Sequence, residues 1–282
     1  MQTIAVLGSG TMGAGIAQVC ALKGCITVLY DLTPEIVNAG YERIRASIQK
    51  GVDLGKTPPE TAAMALARLH PTAKLEDCAS ADLAIEVAPE NMDLKRDLFR
   101  RLDALLAPGA LLASNTSSLS ITALAGTVRR PEQFLGLHFF NPPVLMALVE
   151  VIRGDQTSPA TLEAGLKFVR ALGKTPVVCQ DTPAFIVNRV ARPFYGESLR
   201  LLGESAADPA TIDSLMKSLG FKMGPFELMD LIGLDVNFAV TQSVYNAFFQ
   251  DPRYRPHPIQ QRMVEAGWLG RKTKRGFYEY EE

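Results

Sequence analysis

Residues 4–13 read Ile4-Ala5-Val6-Leu7-Gly8-Ser9-Gly10-Thr11-Met12-Gly13, and a helical pattern at Ile16, Ala17, Val19, Cys20 and Leu22 follows. The first four residues form a short buried-type strand. The rest is G-x-G-x-x-G. Gly8 permits a sharp strand-to-helix turn, and Gly10 has no side chain to block a pyrophosphate from the backbone. Gly13 lets the helix sit close to the strand, with its first N–H groups, those of Thr11, Met12 and Gly13, aimed at phosphate charge. Glycine-rich turns also join strands and helices that bind nothing, so the context matters. A second strand, Ile26-Thr27-Val28-Leu29-Tyr30, ends at Asp31. An acidic residue at about that distance accepts from the ribose hydroxyls of a bound dinucleotide. The expectation is therefore an α/β, Rossmann-type dinucleotide-binding domain.

The chain has 282 residues, 47% hydrophobic and 21% charged, with a formal net charge of −1. That balance is globular and carries no basic bias toward nucleic acid. No apolar run is long enough for a membrane span. The amino terminus enters a strand at once, without the basic region and apolar core of a secretory signal. A cytoplasmic location with neither membrane nor nucleic-acid partner is expected. Cys20, Cys25, Cys78 and Cys179 lack metal-ligand spacing, so no metal is expected and the thiols read as reduced.

Beyond Asp31, a helical pattern runs from Pro34 to about Gly51, and Pro58-Pro59 starts another carrying Met64 and Leu66. Together they read as a helical hairpin with Lys50 and Lys56 near its tip, either as solvated lysines or as phosphate contacts. Strands follow at Asp82–Val87, Ala110–Ala113, Phe134–Phe140 and around Leu148–Ile152. A helix from Asn91 to about Leu106 separates the first two, one near 161–172 follows the last, and a short strand at Pro176–Val178 ends the series. After Pro183 only helical periods remain, with one long helix over Ala184–Leu202 and Pro193 as its kink. Two domains are expected: 1–182, binding the dinucleotide, and 183–282, all-helical.

Ligands of open α/β sheets gather at the carboxyl ends of strands, which directs attention to Ser114-Asn115-Thr116-Ser117-Ser118 and to His138. The chain has three histidines. His70 and His257 lie beside prolines and read as surface residues. His138 stands in an apolar strand, and Glu150 on the next strand is its nearest candidate partner. Spacing alone leaves open whether they pair or whether His138 bonds a backbone carbonyl. If they pair, a neutral imidazole near a nicotinamide can take an alcohol proton while the carboxylate fixes its tautomer. Ser117 and Asn188 would then bond substrate oxygens. Alternatively, Ser117 caps a helix starting near Leu119 and Asn188 is a polar face.

These motifs, in this order, resemble the L-3-hydroxyacyl-CoA dehydrogenase family, of the bacterial 3-hydroxybutyryl-CoA dehydrogenase type. They are Gly8–Gly13, Ser114–Ser118, His138-Phe139-Phe140-Asn141-Pro142, Leu148-Val149-Glu150-Val151 and Phe185-Ile186-Val187-Asn188-Arg189, then Met223–Leu228 and Leu269–Thr273. The resemblance implies a general base at His138 with Glu150 as partner, and substrate contacts at Ser117 and Asn188. It implies cofactor contacts at Asp31, Glu90, Lys95, Asn115, Ser117, Asn141 and Lys272, with NAD as the cofactor. It also implies coenzyme A contacts on the hairpin, where Lys50 matches and Arg43 replaces a serine, and a homodimer formed through the helical domain. Three departures stand out: Ala184 where glycine is common, Lys274-Arg275-Gly276 for Gly-x-Gly, and Pro89 before Glu90.

The reaction so implied is NAD-dependent oxidation of (3S)-3-hydroxyacyl-CoA to 3-ketoacyl-CoA, in fatty-acid or butanoate-type metabolism. Asp31, with no arginine directly after it, favours NAD over a cofactor bearing a 2′-phosphate. Rival readings are a dehydrogenase of a free hydroxy acid, one acting on 3-hydroxyadipyl-CoA, and a non-catalytic NAD-binding protein.

Overall fold

The strand that opens the chain, β1 (Thr3–Leu7), is fully buried from Ile4 to Leu7, as a central parallel strand covered on both faces must be. It lies in an eight-stranded sheet of order β3-β2-β1-β4-β5-β6-β7-β8. In chain order the elements are β1, α1 (Thr11–Leu22), β2 (Ile26–Tyr30), α2 (Pro34–Asp53), α3 (Pro59–Ala67), β3 (Leu69–Thr72), β4 (Leu83–Glu86), α4 (Met92–Leu105), β5 (Leu111–Ser114), α5 (Ile121–Ala125), β6 (Phe134–Phe139), β7 (Leu148–Arg153), α6 (Pro159–Ala171) and β8 (Thr175–Gln180). The computed structural model describes residues 2–281. The chain divides into two units, Met1–Thr182 and Pro183–Glu282.

The first six strands run parallel, and β7 is antiparallel to β6. The chain leaves β1 toward β2 on one side and returns as β4 on the other. This reversal opens a crevice at the carboxyl end of β1, where the glycine loop sits. Local sequence fixes the helix starts: the side chains of Thr33, Asn91, Ser120 and Ser158 accept the N–H of Ile36, Leu94, Ala123 and Thr161.

Two expectations for this unit change. The hairpin of α2 and α3 is the crossover between β2 and β3, with Val37, Ile44, Ile48, Ala62 and Ala65 buried in the same core as α1. The strand it leads to, β3, was not expected, because Leu69-His70-Pro71-Thr72 has one buried residue and a proline; as an edge strand it tolerates both. His70 is exposed there, in line with a surface residue.

The second unit contains α7 (Val187–Gly203), α8 (Pro209–Ser218), α9 (Pro225–Ile232), α10 (Leu234–Ala247) and α11 (Pro258–Glu265). Tyr195, Leu199, Ile212, Phe226 and Met229 form one of its apolar clusters. Asp213 accepts the Phe226 and Glu227 amides, at 2.9 Å each, and the Tyr278 hydroxyl at 2.7 Å. Asp230 accepts the Phe277 and Tyr278 amides and the Tyr280 hydroxyl. Two helix carboxylates thus fasten the aromatic tail. The sequence showed its aromatic residues but not the acids that hold them.

The long helix begins at Val187 rather than Ala184, because Ala184 and Phe185 take φ of 65° and 52°. Lys274 likewise has φ of 59°. Two of the departures from the family pattern therefore put side chains where the backbone is left-handed, at about 1–2 kcal/mol each. Glycine removes that cost but raises unfolded-state entropy. Ala184→Gly and Lys274→Gly are each expected to raise the thermal midpoint by about 1–3 °C. A lowered midpoint in calorimetry would show that these positions are not strained.

Candidate active site

The glycine loop has the shape its sequence demands. Gly8 has φ of 113°, and a Cβ there would lie 2.6 Å from the Val87 carbonyl oxygen. A Cβ on Gly13 would lie 1.7 Å from the Gly8 carbonyl oxygen, so strand and helix approach too closely for any side chain. Gly10 is the N-cap of α1, and a Cβ there would meet nothing within 4 Å. Open space before the Thr11, Met12 and Gly13 amides fits a pyrophosphate. Asp31, at the end of β2, accepts from the Ser9 amide at 2.7 Å and the Ser9 hydroxyl at 2.8 Å. Its second oxygen accepts from the Leu32 amide. A carboxylate has further lone pairs for ribose hydroxyls, so these residues fit the adenosine half of NAD. Arg43 reaches back from α2 to the Ser9 carbonyl at 2.6 Å. The arginine missing directly after Asp31 is thus supplied from elsewhere, but it is spent on the loop itself.

At the end of β4, Glu86 is fully buried and accepts from Lys95 Nζ at 2.5 Å, the Ala88 amide and the Ser114 hydroxyl. Burial pushes its carboxyl above the usual range against the pull of Lys95, Ser114 and the Ala88 amide. Lys95 was expected to touch the cofactor. It is 1% exposed, with its ammonium on Glu86, the Ala88 carbonyl and, at 3.3 Å, Glu90. It braces the Val87–Glu90 loop from beneath. Glu90 also accepts from the Thr116 and Ser118 hydroxyls and the Ser117 amide. Burial alone would raise its carboxyl, but Lys95 and these hydroxyls outweigh burial and hold it below the usual value. The Ser117 hydroxyl is half-exposed and makes no hydrogen bond among the described residues. Ser117 is not the helix cap; Ser120 caps α5, which starts at Ile121.

On the neighbouring strands His138 and Glu150 are directly paired in the β6–β7 register. The contact is His138 Nδ1 to Glu150 Oε2 at 2.7 Å, with the two side chains 8% and 1% exposed. An ionised carboxylate only accepts, so this contact suits the neutral ring tautomer that carries its proton on Nδ1. Phe140 stacks obliquely on the imidazole with ring centroids 4.5 Å apart. The Asn115 side chain accepts from the Phe139 amide at 2.8 Å, tying the end of β5 to that of β6. Asn141, just beyond β6, is exposed. Gly8–Gly13, Asp31, Glu86–Glu90, Ser114–Ser118 and His138–Asn141 therefore all sit at carboxyl ends of parallel strands, along one edge of the sheet.

The remaining expected residues belong to the α2–α3 hairpin or to the second unit. Lys50 and Lys56 are exposed at the hairpin tip with no ion pair among the described residues. Asn188 is half-exposed in the first turn of α7, and its side-chain amide makes no hydrogen bond among the described residues. Lys272 is exposed and bound to both oxygens of Asp235 at 2.6 Å. His257 is half-buried, contrary to expectation: its Nδ1 accepts from the Ile259 amide and caps α11. Reading the sequence also missed Ser9, Glu86 and Thr116, which hold the loops in place. The one available signal was that they stand at or next to strand ends.

Burial pushes the Cys78 and Cys179 thiols up to about 12, and raises Cys20 and Cys25 as well. All four are free, and none is an activated nucleophile. Among the described residues, no group of three or more His, Cys, Asp or Glu could hold a metal, and no helix is long and apolar enough to cross a membrane.

Comparison with known proteins agrees with this layout. The family model for the 3-hydroxyacyl-CoA dehydrogenase NAD binding domain matches residues 3–182, and that for the C-terminal domain matches residues 185–280. The chain is 47% identical to a 3-hydroxyadipyl-CoA dehydrogenase of Escherichia coli, covering 99% of this chain but 59% of that protein. It is 45% identical to a 3-hydroxybutyryl-CoA dehydrogenase of Bradyrhizobium diazoefficiens, covering 99% of this chain and 96% of that one. The crystal structure of an (S)-3-hydroxybutyryl-CoA dehydrogenase from Ralstonia eutropha superimposes over 100% of both chains with a TM-score of 0.96 at 41% identity. A glycine loop with an acidic β2 terminus, a histidine–glutamate pair on adjacent strands and full-length similarity lead to one conclusion: the chain belongs to the NAD-dependent 3-hydroxyacyl-CoA dehydrogenase family.

Proposed function

We propose that the protein oxidises (3S)-3-hydroxyacyl-CoA to 3-ketoacyl-CoA reversibly, with His138 as base and acid. The carrying observation is the 2.7 Å His138–Glu150 contact on adjacent buried strands at the edge that bears the glycine loop. Bound NAD supplies the hydride-accepting carbon. His138 Nε2 takes the hydroxyl proton on oxidation and returns it on reduction. Glu150 holds Nδ1–H, keeps the lone pair on Nε2 and stabilises the imidazolium that forms. Ser117 and Asn188, each with an unused polar side chain, bond the oxygen on C3. The glycine-loop amides and Asp31 hold the dinucleotide, with Glu90, Asn115 and Asn141 shaping its nicotinamide end. Lys95 acts through Glu90. Lys50 and Lys56 meet coenzyme A phosphates, and Lys272 reaches the cofactor only by exchanging its Asp235 partner.

The helical unit is proposed to form a homodimer. Leu215, Leu219, Phe221 and Phe249 are 59%, 68%, 50% and 92% exposed, apolar side chains that a subunit interface would cover. A monomer at micromolar concentration by light scattering would contradict it.

Rates of NADH formation on (3S)-3-hydroxybutyryl-CoA and on free 3-hydroxybutyrate test the reading. The CoA ester is expected to win by orders of magnitude in kcat/KM, since its distant contacts are used to position C3. Preference for the free acid, or no turnover of any 3-hydroxyacyl-CoA, would overturn it.

A further inference from the structure

Thr116, Ser117 and Ser118 follow one another just past the end of β5, each with a hydroxyl. The outer two are bound to the same atom. The Thr116 and Ser118 hydroxyls both donate to Glu90 Oε1, Ser118 at 2.9 Å, and the Ser117 amide donates to that oxygen at 3.2 Å. Thr116 Oγ1 in turn accepts the Ser118 and Leu119 amides at 3.3 and 2.9 Å, the local turn that a threonine side chain makes with its own backbone. Thr116 is 2% exposed, and its amide donates to the Ser114 hydroxyl at 3.2 Å, which ties it to the strand as well. Glu90 is itself held, through Oε2, by the Lys95 ammonium. The segment is thus wound around one carboxylate oxygen. The middle hydroxyl, that of Ser117, is left without a partner among the described residues.

A serine hydroxyl within reach of an ionised carboxylate ordinarily donates to it, because a charge-assisted hydrogen bond is stronger than a neutral one. Its proton is then withheld from a substrate oxygen. A carboxylate oxygen offers about two lone pairs, and Glu90 Oε1 already takes the Thr116 and Ser118 hydroxyls and the Ser117 amide. We propose that Thr116 is a positioning residue for the reaction: it saturates Glu90 Oε1 and fixes the turn, so that the Ser117 hydroxyl stays free for the oxygen on C3. This rests on the function proposed above, in which Ser117 bonds that oxygen. Thr116→Val keeps the branched side chain and removes the hydroxyl. The Ser118 and Leu119 amides then lose their acceptor, Glu90 loses a donor, and the Ser117 hydroxyl takes the vacated place.

The test is a double-mutant cycle of Thr116→Val with Ser117→Ala, read as kcat and KM for (3S)-3-hydroxybutyryl-CoA. Thr116→Val is expected to lower kcat by about 10–100-fold, the order of loss that misplacing a contact brings, with a smaller change in KM. Thr116→Ser, which retains the hydroxyl, restores most of the rate. In the Ser117→Ala background Thr116→Val costs little more, because the hydroxyl it serves is gone. Equal losses from Thr116→Val in both backgrounds overturn the proposal, since a purely structural threonine produces that pattern. So does a Thr116→Ser variant as slow as Thr116→Val. Should Thr116→Val not fold, Thr116→Ala takes its place in the cycle. Ser117→Ala with wild-type kcat removes Ser117 from the chemistry and overturns this inference with it. Failure to turn over any 3-hydroxyacyl-CoA rejects the dehydrogenase reading alone. The same cycle, read as calorimetric binding of acetoacetyl-CoA, then decides for Thr116: non-additive losses keep the proposal, and additive losses or no binding by the wild type overturn it.

Discussion

His138→Gln is expected to lower kcat for alcohol oxidation by about 10²–10⁴-fold, the usual contribution of a positioned general base, while NAD affinity stays near that of the wild type. Glutamine has about the volume of the imidazole and can still face Glu150 through its amide, so β6 and β7 keep their pairing. What it lacks is a basic ring nitrogen. The glycine loop and Asp31 follow β1 and β2, strands that do not pair with β6. Loss of turnover should therefore be separable from loss of cofactor. Stopped-flow NADH formation and fluorescence titration with NADH measure the two quantities. A variant with near-wild-type turnover would remove His138 from the chemistry.

Glu150→Gln is the second large effect, and it acts through orientation. The residue is 1% exposed and its partner is 2.7 Å away. An amide at this position can offer N–H to Nδ1, which moves the imidazole proton to Nε2 and occupies the lone pair the reaction needs. The comparable change in a serine-protease triad costs about 10⁴-fold in kcat. A loss of about 10³-fold is expected here, with little change in KM. Glu150→Asp, which preserves the charge but shortens the reach, should retain more activity than Glu150→Gln. If Glu150→Gln kept most of its kcat, the carboxylate would be a structural partner only.

The glycine loop, the acidic end of β2 and the two-part architecture were legible because each rests on local pattern: strand, turn, helix period and the change of period after Pro183. The His138–Glu150 contact was only half legible. Sequence shows a histidine and a glutamate on successive apolar strands, but antiparallel register decides whether they face each other. Register depends on the Asn141–Ala147 connection and on packing, not on either residue. The partners of Lys95 were not legible for a related reason. A lysine in a helix beside a ligand loop looks like a contact, and only three-dimensional packing shows its ammonium enclosed by Glu86, Glu90 and the Ala88 carbonyl. Ala184 and Lys274 could be recognised as departures from a glycine pattern, but the left-handed backbone that makes them costly is visible only in dihedral angles. The acid clasp of Asp213 and Asp230 joins residues about 50 and 65 positions apart in sequence, beyond the reach of any local reading.

On the proposed mechanism His138 takes the reacting proton in one direction and returns it in the other. Oxidation needs neutral imidazole, so its kcat/KM should rise with pH to a plateau. Reduction of the ketone needs imidazolium, so its kcat/KM should fall as pH rises through the same region. The most direct test is the pH profile of (3S)-3-hydroxybutyryl-CoA oxidation by wild type and His138→Gln under identical conditions. An ascending limb is expected in the wild type and is absent from the residual activity of the variant. The same limb persisting in His138→Gln would contradict it, because another group would then be the base.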